Sequence, residues 1–124
     1  MAKIAIVYHS GYGHTAKVAE HVRIGAARAE EAEVTLYKAD DLTNPDAGPW
    51  DELAAADAII FGAPTYMGSA SAVFKQFQDA TSKPWFSHAW KDKIAAGFTN
   101  SGSLYGDKST TLLQMATLAA QHGM

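Results

Sequence analysis

The chain has 124 residues, 48% of them hydrophobic, which is enough for one domain with its own core. A net charge of −3 with no basic stripe argues against a nucleic-acid binder, and the absence of cysteine excludes disulfides, thiolate metal sites and thiol catalysis. No apolar run approaches the roughly 18 residues needed to span a membrane, and the N-terminus enters a strand at once with no signal-peptide pattern, so a cytoplasmic protein without membrane insertion is expected.

Residues 3–8 read as a buried strand, carried by Ile4-Ala5-Ile6-Val7-Tyr8. Ser10-Gly11-Tyr12-Gly13-His14-Thr15 follows as a loop and leads into a helix over residues 15–29, with Val18, Ala19, Val22 and Ala26 on one face. Glu33 to Lys38 alternates around Val34 and Leu36 and predicts a second strand. Residues 39–50, with Asp, Asn, Gly and two prolines, predict a loop, and Trp50 to Ala55 a short helix. Ala58-Ile59-Ile60-Phe61-Gly62 is a third strand. Residues 70–81 are a helix with Val73, Phe74 and Phe77 inward. Lys93 to Thr99 is a fourth, weaker strand. Residues 107–122 form the last helix, with Gly123 as its C-cap.

Apolar strands alternating with helices predict an α/β parallel sheet covered on both faces. Such sheets bind ligands beyond the C-terminal ends of their strands. Three loops should therefore converge: Ser10 to Thr15, Ala63 to Ser69, and Asn100 to Gly106. The first lies where a helix begins, and the unpaired N–H groups and dipole of a helix start suit a phosphate. It is no P-loop, since no Lys-Ser or Lys-Thr pair follows. It lacks the third glycine of the dinucleotide pattern. Its hydroxyl and amide donors suit a terminal phosphate monoester, such as that of flavin mononucleotide (FMN). The other two loops are small, polar and aromatic, fit to wall a flat hydrogen-bonding ligand. The five histidines are scattered and predict no metal site. Asp40-Asp41 follows the second strand, but Pro64-Thr65 stands where a receiver domain needs its aspartate.

These residues resemble the flavodoxin-like superfamily and, more closely, the WrbA-type NAD(P)H:quinone oxidoreductases, which are multimeric FMN proteins. The resemblance runs from Lys3 to Met124, carried by Tyr8 to His14, Ile59 to Thr65, Gly68, Pro84-Trp85 and His122-Gly123-Met124. It implies that Ser10, Gly11, Tyr12, Gly13, His14 and Thr15 hold the FMN phosphate. Pro64, Thr65, Tyr66 and Met67 would border the isoalloxazine ring. Asn100, Ser101, Gly102, Ser103, Leu104 and Tyr105 would contact the ring and ribityl chain. Tyr12 matches a nicotinamide-nucleotide position, Trp85 a residue on the substrate side of the flavin, and either Gln121 or His122 a residue reaching a neighbouring subunit's flavin. The implied activity is hydride transfer from NADH or NADPH through FMN to a quinone, in a homo-oligomer (dimer or tetramer). No catalytic acid or base is required for that transfer. A one-electron carrier and a non-catalytic flavin-binding module are the alternatives.

The sequence departs from that family in a short segment between strands two and three, in Leu104 and Tyr105 where small residues are usual, and in Tyr66-Met67 where an Arg-Phe pair is common. The fold expected is a flavodoxin-like doubly wound sheet, order 2-1-3-4, with the fifth strand absent from the chain. Residues 1–124 are read as a single FMN-binding domain, C-terminally incomplete or completed by another chain, because strand four would otherwise leave an unpaired edge.

Overall fold

The computed structural model describes residues 1–124. Four parallel strands form the sheet: β1 (Ala2–Tyr8), β2 (Ala32–Lys38), β3 (Ala58–Tyr66) and, last in the chain, β5 (Ile94–Asn100). Their spatial order is β2-β1-β3-β5, so the four strands read from the sequence take the order expected of them. The sheet also has a strand that the sequence did not announce. β4 (Ser69–Ala70) folds back antiparallel on the end of β3, pairing with Thr65 and Tyr66. The turn between them is Met67-Gly68, with φ of +49° and +80°. A two-residue hairpin needs this left-handed pair because its twist matches that of the strands. Two residues are too short to show a periodicity, so nothing local marked them.

The helices are α1 (His14–Ala26), α2 (Trp50–Ala55), α3 (Ala72–Ala80), α4 (Ser82–Phe86) and α5 (Lys108–Gln121). α4 was not foreseen, and α1 stops three residues before the predicted end. The segment read as a loop after β2 begins with a single 3-10 turn, Ala39–Leu42, whose Ala39 and Leu42 are buried.

Side chains alternate across a strand. Ala5 and Val7 of β1 and Ile59, Phe61 and Ala63 of β3 therefore share one face, which forms the main core with Leu53, Phe74, Phe77, Trp90, Met115 and Leu118. The opposite face carries α1, whose Thr15 and Ala19 are buried. β5 pairs only with β3, and its Ile94 is exposed. Beside it an apolar groove of about 380 Å³ runs between β5 and α5, lined by Ala95, Gly97, Leu112, Met115 and Ala119.

Candidate functional site

The C-terminal ends of β1, β3 and β5 lie side by side, and the loops that follow them meet there. After β1, Gly13 takes φ +94° and caps α1, a conformation open to glycine at no steric cost. Its N–H donates to Ser10 Oγ at 3.1 Å, and its carbonyl accepts the first helical bond, from Lys17 N–H at 3.2 Å. No side chain caps this helix, and no acidic residue stands in its first turn. The N–H groups of His14, Thr15 and Ala16 thus face outward without an intrahelical acceptor. Three aligned donors at the positive end of a helix are suited to one anion.

Two of the residues expected to contact a ligand turn to each other instead. The Thr15 hydroxyl donates to Asn100 Oδ1 at 2.8 Å, joining the start of α1 to the end of β5. Thr15 is buried, so its side chain ties the two loops together and its backbone N–H remains for the anion. Thr65 is likewise buried. Its Oγ lies 2.8 Å from Thr99 Oγ and 2.7 Å from Thr111 Oγ, bridging β3, β5 and α5 beneath the loops. Pro64 is buried, and its carbonyl accepts from Ser71 N–H at 3.2 Å. His9 backs the same corner: its Nδ1 is 2.7 Å from Ser71 Oγ.

The residues that do face the site are exposed. Tyr66 meets Tyr12 edge to face at 6.0 Å, and its hydroxyl lies over Gly11, where a Cβ would come within 2.2 Å of it. Tyr12, Met67, Leu104 and Tyr105 stand almost wholly in solvent around the opening. Between the second and third loops is a cavity of about 490 Å³, lined by Thr65, Met67, Gly68, Ser101, Gly102 and Ser103 and closed by Gly106 and Asp107. The sequence did not single out Asp107. It caps α5 with φ +53°, and its position immediately after the third loop was the available signal.

The residues are those an FMN would need. The donor triad suits the phosphate monoester. The small side chains of Ser101, Gly102 and Ser103 leave room for a planar group, and Gly11 lets the Tyr66 ring lie against the backbone beside it.

Trp85, Gln121 and His122 are not brought to these loops. α5 starts at the site and runs about 21 Å to its other end, so Gln121 and His122 lie at the opposite edge of the sheet, where the Asp92 N–H donates to Gly123 C=O. Gln121 is exposed there. His122 is only 5% exposed and sits 4.4 Å from the Trp90 ring. Its Nε2 is 2.9 Å from Thr81 Oγ, which donates its own hydrogen to Gln78 C=O at 2.6 Å. His122 must therefore carry its proton on Nε2 and donate to Thr81. The His122 side chain is packed into its own chain, whereas Gln121 is open to solvent. Trp85 begins one turn beyond Thr81, its N–H bonded to Thr81 C=O, and is half-exposed beside Phe86.

Burial holds the His122 pKa below its ordinary value. The unfolded chain takes up the proton at the ordinary pKa, and the folded site takes it only at lower pH. This contribution to stability is full above that value and is lost progressively as pH falls toward the folded pKa. The thermal midpoint of the wild type should therefore decline below pH of about 6.5. His122→Gln keeps an Nε donor for Thr81 without the titration and should flatten that decline. Parallel midpoint-against-pH curves for the two proteins would show the assignment to be wrong.

A four-stranded parallel sheet in the order β2-β1-β3-β5, with an uncapped helix start and two small-residue loops gathered at one end, is that of a flavodoxin-like α/β protein. The chain belongs to the NADPH-dependent FMN reductase family, whose pattern it matches over residues 3–124. It is 51% identical over 123 residues to Flavodoxin FldP of Pseudomonas aeruginosa (strain UCBPP-PA14), a match covering 99% of this chain and 64% of that protein. The chain thus spans a little under two thirds of that relative's length. The crystal structure of the flavodoxin, WrbA-like protein from Agrobacterium tumefaciens is 52% identical, with a TM-score of 0.87 over 99% of this chain and 74% of that one. A flavodoxin from the domain Archaea is 25% identical, with a TM-score of 0.77 over 98% of this chain and 76% of its own. The resemblance to flavodoxin-like proteins with WrbA-like relatives is borne out.

Proposed function

We propose that this chain binds FMN at the C-terminal ends of β1, β3 and β5 and uses it to pass hydride from NADH or NADPH to a quinone. The observation that carries the reading is the uncapped start of α1, with three free N–H donors beside a loop-walled cavity. When bound, FMN supplies the hydride-accepting and hydride-donating ring. The chain's own work is to bind and orient it. The N–H groups of His14, Thr15 and Ala16 take the phosphate, with Ser10 and His14 at its margin. The Thr15–Asn100 and Thr65–Thr99–Thr111 bonds hold the three loops at a fixed spacing. Tyr66 and Met67 on one side, and Ser101 to Tyr105 on the other, border the ring and limit water. Tyr12, exposed at the opening, is the residue assigned in this reading to contact with the nicotinamide nucleotide.

A homo-oligomer, dimer or tetramer, belongs to this reading. Trp85 and Gln121 lie too far from the loops of their own chain to meet its flavin, so a substrate role for either requires a second copy. Support comes from the exposed Trp85–Phe86 pair and the open groove beside β5.

A second reading, a one-electron carrier, is favoured by the name flavodoxin borne by Flavodoxin FldP and used for the Agrobacterium protein. Steady-state oxidation of NADH and NADPH in the presence of a benzoquinone separates the two. Quinone-dependent turnover by the FMN-loaded protein is expected. Retention of FMN with no turnover under either nucleotide would favour the carrier.

A further inference from the structure

Lys108 is the first residue of α5, where electrostatics give no reason for a lysine. The N-terminal turn of a helix carries partial positive charge and favours anions, and no acidic residue stands in this turn to offset the cation. No ion pair includes it either. Its side chain instead turns back into the loop that precedes the helix. The ammonium donates to Ser101 Oγ at 3.0 Å, to Ser103 C=O at 3.0 Å and to Leu104 C=O at 3.3 Å. An ammonium has three hydrogens, so this loop takes all of them. Ser101 Oγ passes its own hydrogen to Ser103 C=O at 2.8 Å, closing the loop around the cation. Ser101 and Ser103 are also wall residues of the cavity described above.

We propose that Lys108 is a positioning residue of the flavin site, one that fixes the shape of loop 101–106 and holds a positive charge behind a cavity wall that also carries the Asp107 carboxylate. The proposal rests on the FMN reading above. With its three hydrogens spent on the loop, the ammonium acts on a ligand through the loop's shape and through its field. A flavin gains negative charge on reduction, so a fixed cation nearby raises the reduction potential of bound FMN.

The test uses Lys108→Met, which keeps the aliphatic stem and removes the charge, Lys108→Gln as a second neutral variant, and Lys108→Arg, which keeps charge and donors. Removing a cation from a helix start offsets part of the loss of the loop bonds, and those bonds lie outside the core, so the FMN-free variants should still unfold cooperatively and misfolding does not confound the result. In both neutral variants, amide hydrogen exchange over residues 101–106 should quicken. FMN affinity should fall about tenfold or more, the loss expected with a set of charge-assisted hydrogen bonds, and the potential of bound FMN should become more negative. Lys108→Arg should restore affinity and potential. Wild-type exchange in the loop, wild-type FMN affinity or an unmoved potential in the neutral variants would each overturn the proposal. Failure of the wild type to bind FMN would instead overturn the cofactor reading, and the exchange comparison would still judge the role of Lys108 in the loop.

Discussion

Gly13→Val is expected to abolish FMN retention while leaving a folded protein. Gly13 has φ +94°, and a Cβ placed there meets nothing within 4 Å, so the obstacle is the backbone conformation and not a clash. A β-branched residue in that region costs on the order of 1–3 kcal/mol, and the loop can relieve the strain by turning φ negative. Such a rotation withdraws the Gly13 N–H from Ser10 Oγ and re-aims the first N–H groups of α1, which the anion needs convergent. The core on the far face of the sheet is untouched. Two measurements check this. FMN titration by fluorescence quenching should show at least about a hundredfold weaker binding, and excess FMN should no longer raise the thermal midpoint. For the wild type, ligand at about 100 times its dissociation constant adds about 2.7 kcal/mol of stability. Wild-type affinity in Gly13→Val would remove the phosphate from this loop.

Trp90→Ala is expected to cause the largest loss of stability. The ring is fully buried, with Phe61 at 6.3 Å, Phe77 at 6.4 Å and His122 at 4.4 Å. It therefore joins β3, α3 and the end of α5 at one point. Truncating a buried tryptophan costs about 3–5 kcal/mol, against a total of about 5–15 kcal/mol for an ordinary domain. Far-UV circular dichroism on heating should show a midpoint lowered by about 10 °C or more, or no cooperative transition. Trp90→Phe should lose less. The indole N–H has no partner, so phenylalanine removes an unsatisfied buried donor while keeping most of the ring. A Trp90→Ala midpoint within about 3 °C of the wild type would mean that burying this ring contributes little to stability.

The parallel strands were legible because β1 and β3 are short apolar runs bounded by turn residues and β2 alternates around Val34 and Leu36, and such patterns are local properties of the chain. Ile4 to Tyr8 and Ala58 to Phe61 needed no partner to be read as buried strands. The loop from Ser10 to Thr15 was legible for a related reason: the strand, the Gly-rich loop and the helix start that shape it are consecutive in the sequence. β4 and α4 were missed because two and five residues are too few to carry a periodicity. Asp107 and Lys108 were missed because charged residues at the end of a polar loop look like solvated surface until their direction is known.

The sequence by itself determined where the main strands and helices run and where a Gly-rich loop meets a helix start, because apolar runs, alternation and glycine placement act within a few residues of one another; the strand order was what the resemblance to flavodoxin-like proteins implied. Only the tertiary structure decided which polar side chains remain free. Thr15 and Asn100 are 85 residues apart and bond to each other, and Thr65 joins Thr99 and Thr111. His122 is drawn beneath Trp90 and Thr81 at the far edge of the sheet, and Lys108 folds back into its own loop. A hydroxyl, an imidazole or an ammonium satisfies its hydrogen bonds with whatever the fold brings near, and that choice is made across the molecule.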